Sequence, residues 1–233
     1  MLHKGAIKDF FKVPAMMRGF YLSYGLSLLA ATLPAVLVFF YIRDFLGAEN
    51  ETWYFLGFYF LSGIVTLPLW LRGAKMVGKS RAWFVAMVLS VIAFCGAVFL
   101  QPGDILGYGM VCIGAGLSFG AELVLPPMVL KDLIVAANDS AMATRRYGLL
   151  AFLGKAMLAL VCLMVFPALN YFGYKPEQAS TPHVLSALSF CYAVLPCIIK
   201  SFAIYTLWRW IKTYGGNLEN RTTLSHRRSS HAA

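Results

Sequence analysis

Gly116-Leu-Ser118-Phe-Gly120 fits the spacing of a serine nucleophile held between two glycines. Acyl transfer by such a serine needs a histidine within hydrogen-bond reach. The histidines are His3, His183, His226 and His231, and none falls inside an apolar stretch. The sequence therefore supports no catalytic serine. Gly114, Gly116, Ser118 and Gly120 read instead as a small-residue face that lets a second helix approach closely.

Ionisable residues within apolar surroundings are the second candidate set: Glu122, Lys155 and Lys200. A charge at the centre of a bilayer costs about 2.5 kcal/mol or more, so each must face a cavity, a partner or a route to the interface. Glu122 lies eight residues before the expected end of its stretch near residue 130, and Lys155 eight residues after the expected start of the next near 147. Both are then roughly 12 Å deep at 1.5 Å per residue. Opposite charge at equal depth on consecutive helices predicts a Glu122–Lys155 ion pair. The functional alternative is that Lys155 lines a transport path or couples to an ion. Lys200, about ten residues from its inner end, can snorkel on its long stem or face the bundle interior.

These residues must be positioned by membrane helices. Of the 233 residues, 60% are hydrophobic and only 13% charged, which excludes an ordinary soluble domain with about 25% charged residues. Crossing the hydrocarbon takes roughly 20 apolar residues as a helix. Six stretches qualify, at about 19–42, 53–71, 83–100, 105–130, 147–169 and 184–210. The fold class expected is all-α and polytopic, with a cytoplasmic amphipathic arm at 1–18, a bundle over 19–212 and a basic tail at 213–233.

The net charge of +10 would in a soluble protein raise nucleic acid as a partner, but its distribution points to topology. Sixteen of the 20 Lys and Arg residues fall in the N-terminal arm, the second and fourth connections and the tail. The other three connections carry Arg43 and Lys175 against Asp44, Glu49, Glu51, Asp104 and Glu177. Cations flanking spans stay cytoplasmic, which predicts both termini inside a cell (inner) membrane and no nucleic-acid partner. The inner connections are expected to be the longer ones. The first apolar run, of about 24 residues, is too long for a signal-peptide core and is expected to be retained as a span.

Cys95, Cys112, Cys162, Cys191 and Cys197 form no C-x-x-C and no cluster with histidine, and read as small buried hydrophobes. Neither a metal site nor another cofactor is expected. Trp53, Trp70, Trp83, Trp208 and Trp210 all fall at span ends, where an indole sits well among headgroups. Pro34, Pro68, Pro126, Pro127, Pro167 and Pro196 lie in or beside spans, tolerable in a bundle whose neighbours satisfy the freed carbonyls.

The second connection, LPLWLRGAKMVGKSRAW (67–83), carries Arg72, Lys75, Lys79 and Arg81 with Gly73 and Gly78. Tight turn chemistry and contact with anionic lipid headgroups account for it on residue grounds. A Pro-x-Trp exit followed by a basic loop ending Gly-Lys-x-Arg is also similar to the loop between the second and third helices of each half of major facilitator transporters. Together with LPAVLVFFYIRDFLGAE (33–49), YFLSGIVTLPLW (59–70), FGAELVLPPMVLKD (119–132), RRYGLLAFLGKAMLAL (145–160) and NYFGYKPEQ (170–178), it resembles the C-terminal half of the glycoside-pentoside-hexuronide:cation symporters, the melibiose-permease family. The resemblance covers nearly all of residues 5–212.

What the resemblance implies is a six-helix half of a twelve-helix symporter, moving a sugar or related small solute by alternating access and coupled to Na+ or H+. The partners implied are membrane lipid and a separately encoded N-terminal half. A second copy of the chain, or a non-transporting six-helix subunit, are the alternatives. Lys155 matches a lysine that the family places near its cation site. The inner-gate residues implied are Arg72, Lys75, Gly78, Lys79, Arg81, Asp132, Arg145 and Arg146. Two departures stand out: KDLIVAANDSAMATRRYGL keeps Asp132 and the arginine pair but loses most of the family's acidic cluster, and Glu122 stands where the family commonly has a small neutral residue.

Overall fold

A computed structural model describes residues 14–174 and 182–215. Six helices long and apolar enough to cross a membrane make up these residues. They comprise α1 (Ala15–Phe40), α2 (Thr52–Val77), α3 (Lys79–Ala97), α4 (Ile105–Ala136), α5 (Ala143–Tyr171) and a sixth span built of α6 (Pro182–Ser189) and α7 (Leu195–Trp210). The expected arm and tail lie almost wholly outside the described residues. A helix is the natural form because its backbone groups bond internally, where hydrocarbon offers no other partner.

The spans run longer than the apolar runs suggest, since polar residues at their ends stay helical. α1 continues through a π-helical turn, Tyr41–Leu46, and stops at Gly47, whose φ of +66° closes the helix end. α7 likewise continues into a π-turn at Ile211–Gly215. Prolines 34, 68, 126, 127 and 167 all sit within continuous helix.

The second connection differs from expectation. Instead of a long inner loop, α2 and α3 are separated by Gly78 alone, at φ +93°. A residue without a Cβ takes this conformation at little cost, so one residue reverses the chain and the basic residues on either side remain helical.

Helix α4 packs along α2 and α3, whereas α1 packs against α7 and α5, and α3 touches α7 to join the two groups. The α2–α4 contact rests on the small-residue face expected from sequence. A Cβ on Gly116 would collide with the Ser62 hydroxyl and the Tyr59 carbonyl, and one on Gly120 with the Gly63 carbonyl. Thr66 Oγ1 and Trp70 Nε1 both donate to the Leu117 carbonyl, at 3.1 and 2.7 Å.

Three of the five tryptophans depart from the headgroup expectation. Trp83 is fully buried, Trp210 is buried with its Nε1 donating to the Met16 carbonyl at 2.7 Å, and Trp70 is half-buried against α4. At those span ends, helix-to-helix packing offers each ring more contact than the interface does. Trp53 and Trp208 are exposed, and Lys212 lies 3.8 Å over the Trp208 ring. Cys95 is also exposed, contrary to the buried position expected of it.

Buried apolar residues form two clusters, one at each end of the bundle. One gathers Phe20, Trp83, Leu125, Leu130 and Trp210; the other gathers Leu37, Tyr41, Tyr108, Leu188 and Tyr192. The ionisable residues lie at the level between them.

Candidate functional site

A cavity of about 440 Å³ opens between the two clusters, lined by residues of α1, α2, α3, α4 and the sixth span. That volume is within the range of about 300–1,000 Å³ common for small-molecule sites. Its walls are mostly apolar and aromatic, with Phe55, Tyr59, Phe94 and Phe119 among them. Its charged groups are Glu122 and Lys200.

Glu122 does not meet Lys155. Its carboxylate accepts a hydrogen bond and ion pair from Lys200 Nζ, and Ser27 Oγ bridges the two, accepting from Nζ at 3.0 Å and donating to Oε2 at 3.2 Å. Lys200 and Ser27 are each only 4% exposed. Just below, Ser23 and Thr206 join α1 to α7 by a 3.0 Å hydroxyl contact. Lys155 is exposed on α5, has no ion-pair partner among the described residues, and no α5 residue lines the cavity.

The physical reason is lateral rather than vertical. Glu122 is about 21 Å from the Ala136 end of α4, and both lysines lie at comparable depth in their own helices, so depth alone admits either partner. The face of α4 that carries Glu122 meets Ser27 of α1 and Lys200 of α7, while α5, which touches both α1 and α4, sends no residue into the cavity. Lys200 is the functional residue that sequence reasoning undervalued. Its signal was a charge in mid-span, for which facing the bundle interior stood as one of two alternatives beside snorkelling.

Helix breaks surround this triad. Pro126 and Pro127 have no N–H, which deprives the Glu122 and Leu123 carbonyls of their intrahelical donors. Pro196 stands one turn before Lys200, directly after a π-turn at Phe190–Val194. Backbone irregularity of this kind within a membrane is tolerated where it lines a cavity.

At one end the cavity wall includes Tyr108 and Tyr192, part of a group of stacked rings. Tyr41 stacks on Tyr192 at 4.0 Å between centroids, and the Tyr192 and Tyr108 hydroxyls lie 2.7 Å apart. Beyond them Arg43 pairs with Asp44 at 2.8 Å and also donates to Tyr174, whose hydroxyl in turn donates to Asp44. Burial, reinforced by that carboxylate, pushes the Tyr174 hydroxyl up to about 12.

At the opposite end the structure joins some of the gate residues expected from sequence and leaves others apart. Lys79, in the first turn of α3, reaches both oxygens of Asp132 at 2.7 Å. A cation is poorly placed at a helix N-terminus, and this carboxylate from α4 offsets the mismatch. Arg146 is buried and pairs with Asp139 at 2.7 Å, while its backbone carbonyl accepts from Tyr21 Oη at 2.9 Å. Asp139 was not among the residues singled out from sequence; its position six residues before the Arg145–Arg146 pair was the available signal. Arg72, Lys75, Arg81 and Arg145 are exposed, with no ion pair among the described residues. Gly78 serves as the turn itself.

Ser118 is buried and donates to the Ala115 carbonyl of its own helix at 2.8 Å, so its hydroxyl is committed to backbone. His183 stands in the first turn of α6, at the start of the sixth span rather than outside it. The site holds an ion pair within an apolar, aromatic chamber, an arrangement suited to binding rather than to bond-making.

No curated protein matches the chain. A family model described as MFS/sugar transport protein matches residues 4–212, nearly the whole sequence and all six spans. The chain therefore belongs to the MFS/sugar transport protein family, a family of membrane transporters and not of enzymes.

Proposed function

We propose that this chain is one six-helix half, the C-terminal type, of a secondary transporter that moves a sugar or related small solute with Na+ or H+ by alternating access. A separate chain supplies the facing half, and the bundle sits in the cell inner membrane with both termini cytoplasmic. Solute sites in such transporters lie near the midplane between two structural repeats that rock against each other.

The observation that carries this reading is Lys155. It stands about 18 Å into α5 and is exposed. Lipid is a costly environment for a charge at that depth, whereas a facing protein wall or water-filled path is not. The spans of α2 and α5 are also the least buried, at 11% and 17% of their most apolar windows, against 44% and 50% for those of α1 and α4. A facing half seated on α2 and α5 covers both exposed surfaces and gives Lys155 a non-lipid neighbour. Lys79–Asp132 and Arg146–Asp139 then act as the inner gate, with Arg72, Lys75, Arg81 and Arg145 facing lipid headgroups or the other half.

The test is uptake of glycosides into liposomes under an imposed Na+ or H+ gradient, with the chain alone and with a matching six-helix half. Saturable uptake is expected only with both halves. Robust uptake by a proven monomer overturns the proposal, and uptake by a homodimer replaces the separate half with a second copy.

A further inference from the structure

The outer surface of the sixth span is graded in polarity and takes no part in the solute chamber's polar chemistry. Ile198, Phe202, Tyr205, Arg209 and Lys212 follow one another at four- and three-residue spacing, which sets them in one stripe of the helix, and Trp208 borders it. All six are exposed. α7 packs mainly against α1 and α3, so this stripe is not the surface that a half seated on α2 and α5 would cover. Its chemistry changes in order along the span. Ile198 and Phe202 are wholly apolar, Tyr205 and Trp208 are rings with a polar edge, and Arg209 and Lys212 are cations. From Phe202 to Lys212 this gradient occupies about 15 Å of helix. A phospholipid has the same order, from acyl chain through ester and glycerol to phosphate.

The polar end of the stripe is organised by contacts as well as by charge. Lys212 Nζ lies 3.8 Å over the Trp208 ring, and the Tyr205 ring lies 6.2 Å from the same indole. The ring face fixes the ammonium, which has three N–H donors and so keeps some for a second partner. Arg209, three residues before Lys212, is its neighbour on the helix surface and adds a planar fork suited to phosphate oxygens. Neither cation has an ion pair among the described residues. The two described carboxylates at this end of the bundle, Asp132 and Asp139, are taken by Lys79 and Arg146. The stripe therefore presents two uncompensated positive charges at headgroup level.

That balance selects among headgroups. Choline would bring a third cation to the pair, and the aromatic face on which a quaternary ammonium docks is already covered by Lys212. A headgroup with net negative charge meets both cations with nothing to repel it.

We propose that the Tyr205–Lys212 segment of the sixth span is a binding site for one anionic phospholipid, its phosphate held between Arg209 and Lys212 and an acyl chain lying along Phe202 and Ile198. The site goes beyond the transport reading and does not depend on any facing half.

The full chain is placed in nanodiscs of equimolar phosphatidylcholine and phosphatidylglycerol with matched acyl chains, and the lipids it retains are counted by native mass spectrometry. One phosphatidylglycerol per chain is expected to be retained, with about tenfold preference over phosphatidylcholine. Arg209→Gln/Lys212→Gln is expected to lose that preference, and Trp208→Leu, which keeps both charges but frees the ammonium, to weaken it. Arg72→Gln/Lys131→Gln removes two exposed cations elsewhere on the same end of the bundle and is expected to leave it intact. Excess glycerol 1-phosphate, the headgroup chemistry without acyl chains, is expected not to displace the lipid. Equal retention of both lipids, a preference that survives Arg209→Gln/Lys212→Gln, or the same loss in Arg72→Gln/Lys131→Gln overturns the inference. Displacement by glycerol 1-phosphate does so too, because it would assign the cations to a soluble phosphate instead.

Discussion

Glu122 and Lys200, 78 residues apart in the chain, share a hydrogen-bonded ion pair at the level where the bundle's two apolar clusters part. Ser27 from a third helix touches both, so α1, α4 and α7 meet at a single polar point. Lys200 is buried at this point, while the Glu122 carboxylate borders the cavity.

Removing one member strands the other. Glu122→Leu and Lys200→Met should each lower bundle stability by about 3–5 kcal/mol, while the double substitution costs much less than their sum. Thermal unfolding in detergent, followed by the monodisperse fraction, measures all three. Simple additivity would show that the two side chains do not interact.

Lys155 should behave oppositely. Because it is exposed and unpaired among the described residues, Lys155→Met is expected to leave the folded yield of the chain within about 0.5 kcal/mol of the parent. Solute uptake by the assembled halves should fall in the same variant. A marked loss of folded protein in the chain alone would mean that Lys155 holds the bundle together, contrary to its position.

The α2–α4 crossing gives a sharper stability test. Gly120→Ala sets a methyl against the Gly63 carbonyl and should cost about 1–3 kcal/mol, whereas Gly109→Ala on the same helix points into open space and should cost nothing or stabilise slightly. The two thermal midpoints, compared side by side, report whether the backbones approach as closely as described.

Topology follows from charge. In a cysteine-free background, thiols introduced at the exposed positions Asn50 and Arg81 are expected to differ: an impermeant maleimide added to intact cells should label Asn50 and leave Arg81 unmodified. Labelling of Arg81 under those conditions would invert the bundle.

Six spans and their order were legible in the residues alone, because hydrocarbon admits few backbone solutions and apolar runs of sufficient length reveal them directly. The Gly116–Gly120 face was legible for a similar reason: small side chains at helical spacing have one common use in a bundle. Depth along each helix could be counted, and it placed Glu122 and Lys155 at one level with Lys200 about two residues deeper. Which lysine faces the carboxylate could not be counted, since that depends on how each helix is rotated and which neighbours it packs against. Only the tertiary structure set α4 opposite α1 and α7, turned Lys155 outward and drew Trp83 and Trp210 into the core. The same holds for Lys79–Asp132, 53 residues apart, and for the one-residue turn at Gly78 that brings α3 beside α4. Pairings of this kind are long-range contacts, whose partners are chosen by packing across the bundle and leave no periodic trace in the chain.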